Sequence, residues 1–217
     1  MPIILSRYPV AYHPTPKVAC SSIKLALYEL EHGRQFELSR DENGTFIYIH
    51  DSWRTEYFSP ISVQDSYYKF AVVRHPIERF LSAFANRVVY FKELDEKHLH
   101  GLKGELEGLK PSPSLSEFIS ELHSYRRASP SIRHHTDPQS LFIGNNLAYY
   151  DRIFCFKELG EIANSLKDAV GAQITLPHEQ TGGPKLSMTE LSKKQLERLS
   201  DFYAEDYLLL ADFYQAG

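Results

Sequence analysis

A nearly continuous apolar run, Tyr68–Val73, constrains the fold of this chain more than any other feature. Such a run predicts a strand that is buried on both faces, as central strands of parallel sheets are. Pro76 follows closely and suits the first position of a helix. The same order of strand, loop and helix is predicted over residues 8–33 and 152–170. This alternation predicts an α/β fold with a mainly parallel sheet flanked by helices.

Four further segments are interpreted from local signals. Residues 46–50 are mostly β-branched and aromatic, and they predict a second strand that ends at His50. Capping boxes that begin at Ser114 and Ser187 predict helices that run to about residue 125 and to about residue 213. Residues 126–140 are predicted to form a loop rich in Arg and His.

Length and charge limit the organisation of the chain and its partners. The 217 residues suggest a single domain, 1–217, in which residues 92–135 form a helical or loop insertion. The 24 Lys and Arg against 28 Asp and Glu give a net charge of −4. No nucleic-acid partner is therefore expected.

Two cysteines, Cys20 and Cys155, are too few for a disulfide scaffold. Two reduced thiols are expected, and a single bridge is the alternative. No spacing of Cys and His resembles a zinc site, so we expect no metal. We also expect no transmembrane segment, because no apolar stretch reaches ~18 residues, and no secretory signal. A cytoplasmic location follows, with a truncated Golgi-lumenal domain as the alternative.

The first segment with chemical meaning is residues 15–24, between the first strand and the first helix. A loop in that position directs backbone N–H groups and a helix N-terminus at one point, where anions bind. Lys17 adds a positive charge, and Ser21 and Ser22 add hydroxyl groups. This pattern predicts a phosphate cradle, although a tight turn with one exposed lysine would look the same. It is not a Walker A loop, because the segment contains no glycine.

The second segment follows the apolar strand. Arg74 ends that strand, and Ser82 is eight residues further on, in the predicted helix. An arginine and a serine in this arrangement could hold one phosphate from two sides. The alternative is a structural arginine that binds backbone carbonyls.

Together the two segments resemble the carbohydrate sulfotransferases that use 3′-phosphoadenosine 5′-phosphosulfate (PAPS), of the heparan and chondroitin type called sulfotransferase family 2. Residues 16–24 are similar to the family's 5′-phosphosulfate loop, with Ser21-Ser22 in place of its usual Thr-first pair, and residues 73–84 to its 3′-phosphate motif. Further similar segments, the family's His-x-x-Pro-Gln element among them, follow in order through residue 214. The chain is shorter than the animal relatives and lacks their N-terminal membrane anchor. In both respects it resembles a soluble bacterial member of the family.

The resemblance implies a P-loop-like, three-layer fold and PAPS as the donor, with no metal. It implies in-line transfer of a sulfuryl group to a hydroxyl of a carbohydrate-like acceptor. Lys17 would stabilise the leaving phosphate, and His50 would be the general base, because a histidine at a similar place serves so in heparan sulfate 2-O relatives. His135, Glu29 and Asp51 are the alternative bases. The implied cofactor-binding residues are Pro16, Lys17, Val18, Ala19, Cys20, Ser21, Ser22, Ile23, Lys24, Arg74 and Ser82.

The acceptor site is expected near the predicted insertion of residues 92–135, at Arg133, His134 and His135. The sequence there is rich in cationic and polar side chains. Two other functions remain open. A P-loop-type nucleotide kinase or hydrolase would need the glycine-rich loop and magnesium-binding aspartate that we do not find. A non-catalytic nucleotide- or glycan-binding module would need Arg74 and Ser82 but not His50 and Lys17.

Overall fold

The computed structural model describes residues 1–59, 63–99, 109–177 and 182–214. Within these ranges the strands are β1 (Ile3–Ile4), β2 (Val10–His13), β3 (Ser39–Arg40), β4 (Phe46–Ile47), β5 (Tyr68–Val73) and β6 (Arg152–Cys155). The α-helices are α1 (Cys20–His32), α2 (Ile49–Ser52), α3 (Pro76–Ala83), α4 (Glu96–Leu99), α5 (Leu115–Ser120), α6 (Leu122–Ala128), α7 (Pro130–Thr136), α8 (Ser140–Ile143), α9 (Ile162–Val170), α10 (Lys193–Phe202) and α11 (Ala204–Leu209). A π-helical turn, Phe84–Tyr90, continues α3.

The described residues divide into two compact units. The first consists of Met1–Arg74 with Gln139–Glu179, and the second of His75–Pro138 with Gln180–Gly217. The expectation of a single domain over residues 1–217 stays a prediction.

The first unit is built on a four-stranded sheet with the order β1-β2-β5-β6. Strand β5 pairs in parallel with β2 on one side and with β6 on the other, while β1 pairs antiparallel with β2. The apolar run thus occupies the central position that its composition predicts. Alternate sheet residues contribute to one hydrophobic core together with residues of α1 and α9, among them Ile23, Leu27 and Leu166. The predicted α/β class with a mainly parallel sheet flanked by helices is confirmed.

The second unit is helical in its described part. Its core contains Phe80 and Phe84 from α3 and the π-helical turn, Phe118 from α5, and Tyr203 after α10. Phe80 and Phe118 stack with their ring centroids 5.7 Å apart. The part of the segment 92–135 that the structure describes beyond residue 114 therefore contributes to this core, because α5, α6 and α7 bury apolar faces there.

Several local predictions were wrong. Residues 46–50 do not form one strand: Phe46–Ile47 pairs with Ser39–Arg40 in a separate two-stranded ladder, and His50 lies on α2. Residues 126–140 are mostly helical rather than a loop, because Ser129 caps α7 through its hydroxyl and Pro130 starts that helix. The C-terminal helix is interrupted, since a second capping box at Ser192 begins α10.

Candidate active site

The loop between β2 and α1 has an unusual backbone. Lys17 and Ala19 both adopt left-handed conformations, with φ of 67° and 63°. Residues with a Cβ pay roughly 1–2 kcal/mol for this conformation, so the loop holds strain of the kind found at ligand-binding sites. Ala19 is also the N-cap of α1 and has no side chain that could satisfy the first N–H groups of the helix. A helix start of this kind, with its N–H donors and the positive end of the helix dipole, is suited to binding an anion.

The residues of segment 16–24 fall into two groups. Val18 and Ile23 are fully buried in the core of the first unit, so their side chains pack rather than bind. Pro16, Cys20 and Ser22 are also buried, whereas Lys17, Ala19 and Ser21 are half-exposed. If this segment binds a cofactor, the side chains available to it are therefore those of Lys17 and Ser21, and the other residues offer only backbone.

Arg74 is held in place at the end of β5 by Gln139. The Gln139 side-chain amide accepts from the Arg74 backbone N–H at 2.9 Å and donates to the Arg74 carbonyl at 2.8 Å. The Arg74 guanidinium lies 4.4 Å from the centre of the Phe156 ring and 3.5 Å from the Lys17 carbonyl oxygen. The sequence reasoning missed the role of Gln139, although the residue lies in one of the segments that resemble the family.

His50 reaches the loop by a route that the sequence did not predict. The sequence predicts His50 at the edge of the main sheet, but the residue is exposed on the short helix α2. At the start of this helix the Asp51 carboxylate accepts a hydrogen bond from the Tyr48 N–H. His50 Nε2 lies 2.8 Å from the Ser21 hydroxyl. The predicted base and the predicted phosphate loop are therefore adjacent in the first unit. Asp51 is engaged in capping, and Glu29 is exposed two turns further along α1.

Lys24 was expected to bind the cofactor, but its ammonium lies inside the protein. The side chain is fully buried and its Nζ contacts His50 Nδ1 at 3.0 Å, the Trp53 carbonyl at 2.5 Å and the Thr55 hydroxyl at 2.7 Å. Burial lowers the pKa of Lys24 to about 8. The three donors of Lys24 thus face protein acceptors, and the predicted cofactor-binding role of this residue stays a prediction.

The second unit contains the other predicted site residues. Ser82 is half-exposed on α3, and Arg133 is exposed on α7 beside the half-buried His134. His135 is engaged by protein groups: its Nε2 accepts from the Arg87 guanidinium at 2.7 Å, and its Nδ1 donates to the Ser131 carbonyl at 2.8 Å. These contacts favour a positioning role over that of a base. The joint role of Arg74 and Ser82 stays a prediction.

One cation of the second unit is buried inside the protein. Arg79 on α3 is fully buried and donates to the backbone carbonyls of His135 and Asp137. Asp137 in turn forms an ion pair with Arg126. These bonds organise the end of α7, and no pattern in the sequence identifies their partners.

Among the residues that the structure describes, no group of three or more His, Cys, Asp or Glu side chains could hold a metal ion. Among the same residues, no helix has the length and apolar character needed to cross a membrane. Cys20 and Cys155, both in the described part, do not form a disulfide.

The first unit of this α/β protein thus combines a strained loop, a helix without a side-chain cap and a strand-end arginine. Comparison with known proteins narrows that class. A family model described as the sulfotransferase family matches residues 3–214, so the chain belongs to that family. Family membership supports sulfuryl transfer as the general activity. No curated protein and no solved structure gave a significant match.

Proposed function

We propose that this enzyme transfers the sulfuryl group of PAPS to a hydroxyl of a carbohydrate-like acceptor. The observation that carries the proposal is the contact between the phosphate loop and a histidine: His50 Nε2 lies 2.8 Å from Ser21 Oγ, at the start of an uncapped helix. A donor anion in that loop would have a titratable imidazole beside it. Transfer needs that combination, because the acceptor hydroxyl must lose a proton as it attacks.

In this proposal, loop amides and Ser21 donate to the equatorial oxygens of the reacting group, and Lys17 neutralises the phosphate that leaves. The charge of Lys17 matters most when the bridging oxygen becomes anionic, as in phosphoryl transfer. The bound cofactor would supply the activated sulfuryl group. No metal is required in this scheme, because Lys17 is the cation. Arg74 would hold the 3′-phosphate.

The acceptor is the least constrained part of the proposal. The family resemblance favours a carbohydrate-like hydroxyl compound, and Arg133 and His134 remain the candidates to bind it. We place the enzyme in a reducing compartment such as the cytoplasm, which the absence of a disulfide between Cys20 and Cys155 supports.

Calorimetry with nucleotides tests the donor directly. PAP, the 3′,5′-bisphosphate product, should bind much more tightly than AMP, because only PAP carries the 3′-phosphate. Arg74→Ala should weaken PAP binding by about 1.5–3 kcal/mol, the usual value of a hydrogen bond to a charged group. Arg34→Ala is the matched control, since Arg34 is exposed just beyond the opposite end of α1. Equal affinity for PAP and AMP would refute the assignment.

A turnover assay distinguishes the sulfotransferase from a nucleotide kinase or hydrolase. A kinase or hydrolase would turn over ATP in a reaction that requires magnesium and stops with a chelator. The sulfotransferase proposal predicts PAPS turnover that a chelator leaves intact.

A further inference from the structure

The ammonium of Lys24 restricts the protonation of His50. An ammonium has three N–H donors and no acceptor. In Lys24 they face three acceptors: the Trp53 carbonyl, the Thr55 hydroxyl and His50 Nδ1. The third contact is possible only if Nδ1 carries no proton. The proton of the neutral His50 ring must then be on Nε2, the nitrogen that lies 2.8 Å from Ser21 Oγ.

This tautomer cannot perform the role proposed for His50. An Nε2 that carries a proton donates a hydrogen bond, whereas a general base must accept one. Adding a second proton to the ring would place an imidazolium 3.0 Å from the buried Lys24 ammonium, and the repulsion of two like charges at this distance is unfavourable. His50 becomes a base at Nε2 only when Lys24 is neutral and accepts from Nδ1–H.

We propose that Lys24 is the positioning residue that switches His50 between hydrogen-bond donor and general base. The inference rests on the proposed function of His50. In the reactive state, Lys24 is a neutral amine and His50 carries its proton on Nδ1. The acceptor hydroxyl gives its proton to Nε2 as its oxygen bonds to sulfur. The Nδ1 proton passes to Lys24 Nζ, and the bond from sulfur to the phosphate oxygen breaks, with its electron pair left on that oxygen.

The surroundings of Lys24 allow the neutral amine near physiological pH. Burial lowers the pKa of Lys24 to about 8, partly opposed by Cys20 on the same helix. From the neighbouring segment, His50 is the titratable group that faces Nζ, and Trp53 and Thr55 present uncharged oxygens. Among the described residues, no carboxylate forms an ion pair with Lys24 that would hold it charged.

Two substitutions of Lys24 separate this role from a structural one. Lys24→Arg keeps a permanent positive charge and its donors, so His50 stays a donor, and kcat should fall by about 100-fold or more at every pH. Lys24→Met removes the charge and allows Nδ1 to carry the ring proton, so kcat at pH 7 should exceed that of Lys24→Arg. A lysine that only bound the cofactor or supported the fold would give the reverse order, with Arg the better replacement. Lys167→Arg and Lys167→Met, at an exposed position of α9, are the matched controls.

The pH profile gives a second readout. Wild-type kcat should rise about tenfold per pH unit below the pKa of Lys24 and level off above about pH 8. In Lys24→Met the midpoint should move down toward the ordinary histidine value of about 6.5. A wild-type midpoint that Lys24→Met leaves in place would overturn the inference.

Nitrogen-15 NMR of the histidine rings in the wild-type protein gives a third readout, one that needs no enzymatic activity. The His50 signals, assigned by their loss in His50→Gln, should report the Nε2–H tautomer below about pH 8 and the Nδ1–H tautomer above it. A tautomer that does not change over this range would refute the switch even in an active enzyme. If the tautomer changes but PAPS is not turned over, the proposed function fails and the Lys24–His50 coupling stands.

Discussion

His13 makes the stability of the first unit sensitive to acid. Its side chain is 1% exposed at the end of β2, and neither ring nitrogen has a hydrogen-bond partner among the described residues. The ring stacks on Phe58 and meets the edges of Tyr149 and Tyr150, with centroid distances of 5.1–5.5 Å. Burial in these apolar surroundings lowers the pKa of His13 from 6.5 to about 4.

The pKa shift fixes both the sign and the size of the effect. Between pH 4 and pH 6.5 the unfolded chain binds a proton at His13 that the folded protein does not. The free energy of unfolding therefore falls as the pH falls through this window. Each pH unit below 6.5 costs about 1.4 kcal/mol, so the His13 contribution at pH 5 is a loss of about 2 kcal/mol relative to pH 8.

His13→Phe isolates this contribution, because phenylalanine keeps an aromatic ring and cannot titrate. Urea denaturation of both proteins at pH 8 and pH 5 gives the difference in their free energies of unfolding. We expect the variant to be at least as stable as the wild type at pH 8, since two unpaired buried nitrogens are removed. Its advantage should grow by about 2 kcal/mol at pH 5. An advantage that stays within about 0.5 kcal/mol between the two pH values, the usual limit for independent effects, would show that the folded protein accepts the charged ring.

Two further predictions concern Gly183 and Lys17. Gly183→Ala should lower the free energy of unfolding by about 3 kcal/mol or more, because its φ is +108° and a Cβ would come within 2.2 Å of the Ala85 carbonyl oxygen. Gly160→Ala is the control, since a Cβ there meets nothing within 4 Å, and urea denaturation should place it within about 0.5 kcal/mol of wild type. Lys17→Ala should lower kcat more than it lowers PAP affinity, as expected of a charge that acts mainly in the transition state. Full turnover at saturating PAPS in that variant would show that Lys17 only tethers the donor.

Elements with strong local signals were predictable from the sequence. The apolar run of β5 forms the central strand, and Ser114 begins α5 with the capping box that its sequence predicts. Gly33 ends α1 in the left-handed conformation expected of a glycine after a helix. In each case the residues that determine the structure are neighbours in the chain, so a few consecutive residues are enough to predict the element.

Features that depend on distant partners could not be predicted in this way. Arg79 lies within a helix at a position that suits solvent, but it is buried because the backbone carbonyls of His135 and Asp137 receive its donors. His50 was predicted to be close to the loop, and it is, but on a helix that a local strand signal concealed. The composition of residues 46–50 predicts a strand. The Asp51 carboxylate, which lies just outside this segment, instead caps a helix that contains His50.

The spacing of Ser21 and Lys24 combines a local sequence signal with a contact to a residue that is distant in the chain. Residues three apart lie on one face of a helix, so the serine hydroxyl and the lysine ammonium of α1 face the same neighbour. An imidazole presents its two nitrogens on one edge, and His50 contacts Lys24 with Nδ1 and Ser21 with Nε2. The helix periodicity thus allows a single ring to contact both side chains, although it does not say which histidine supplies it. In this structure the ammonium of Lys24 contacts that ring, so in our proposal the protonation state of Lys24 governs the base.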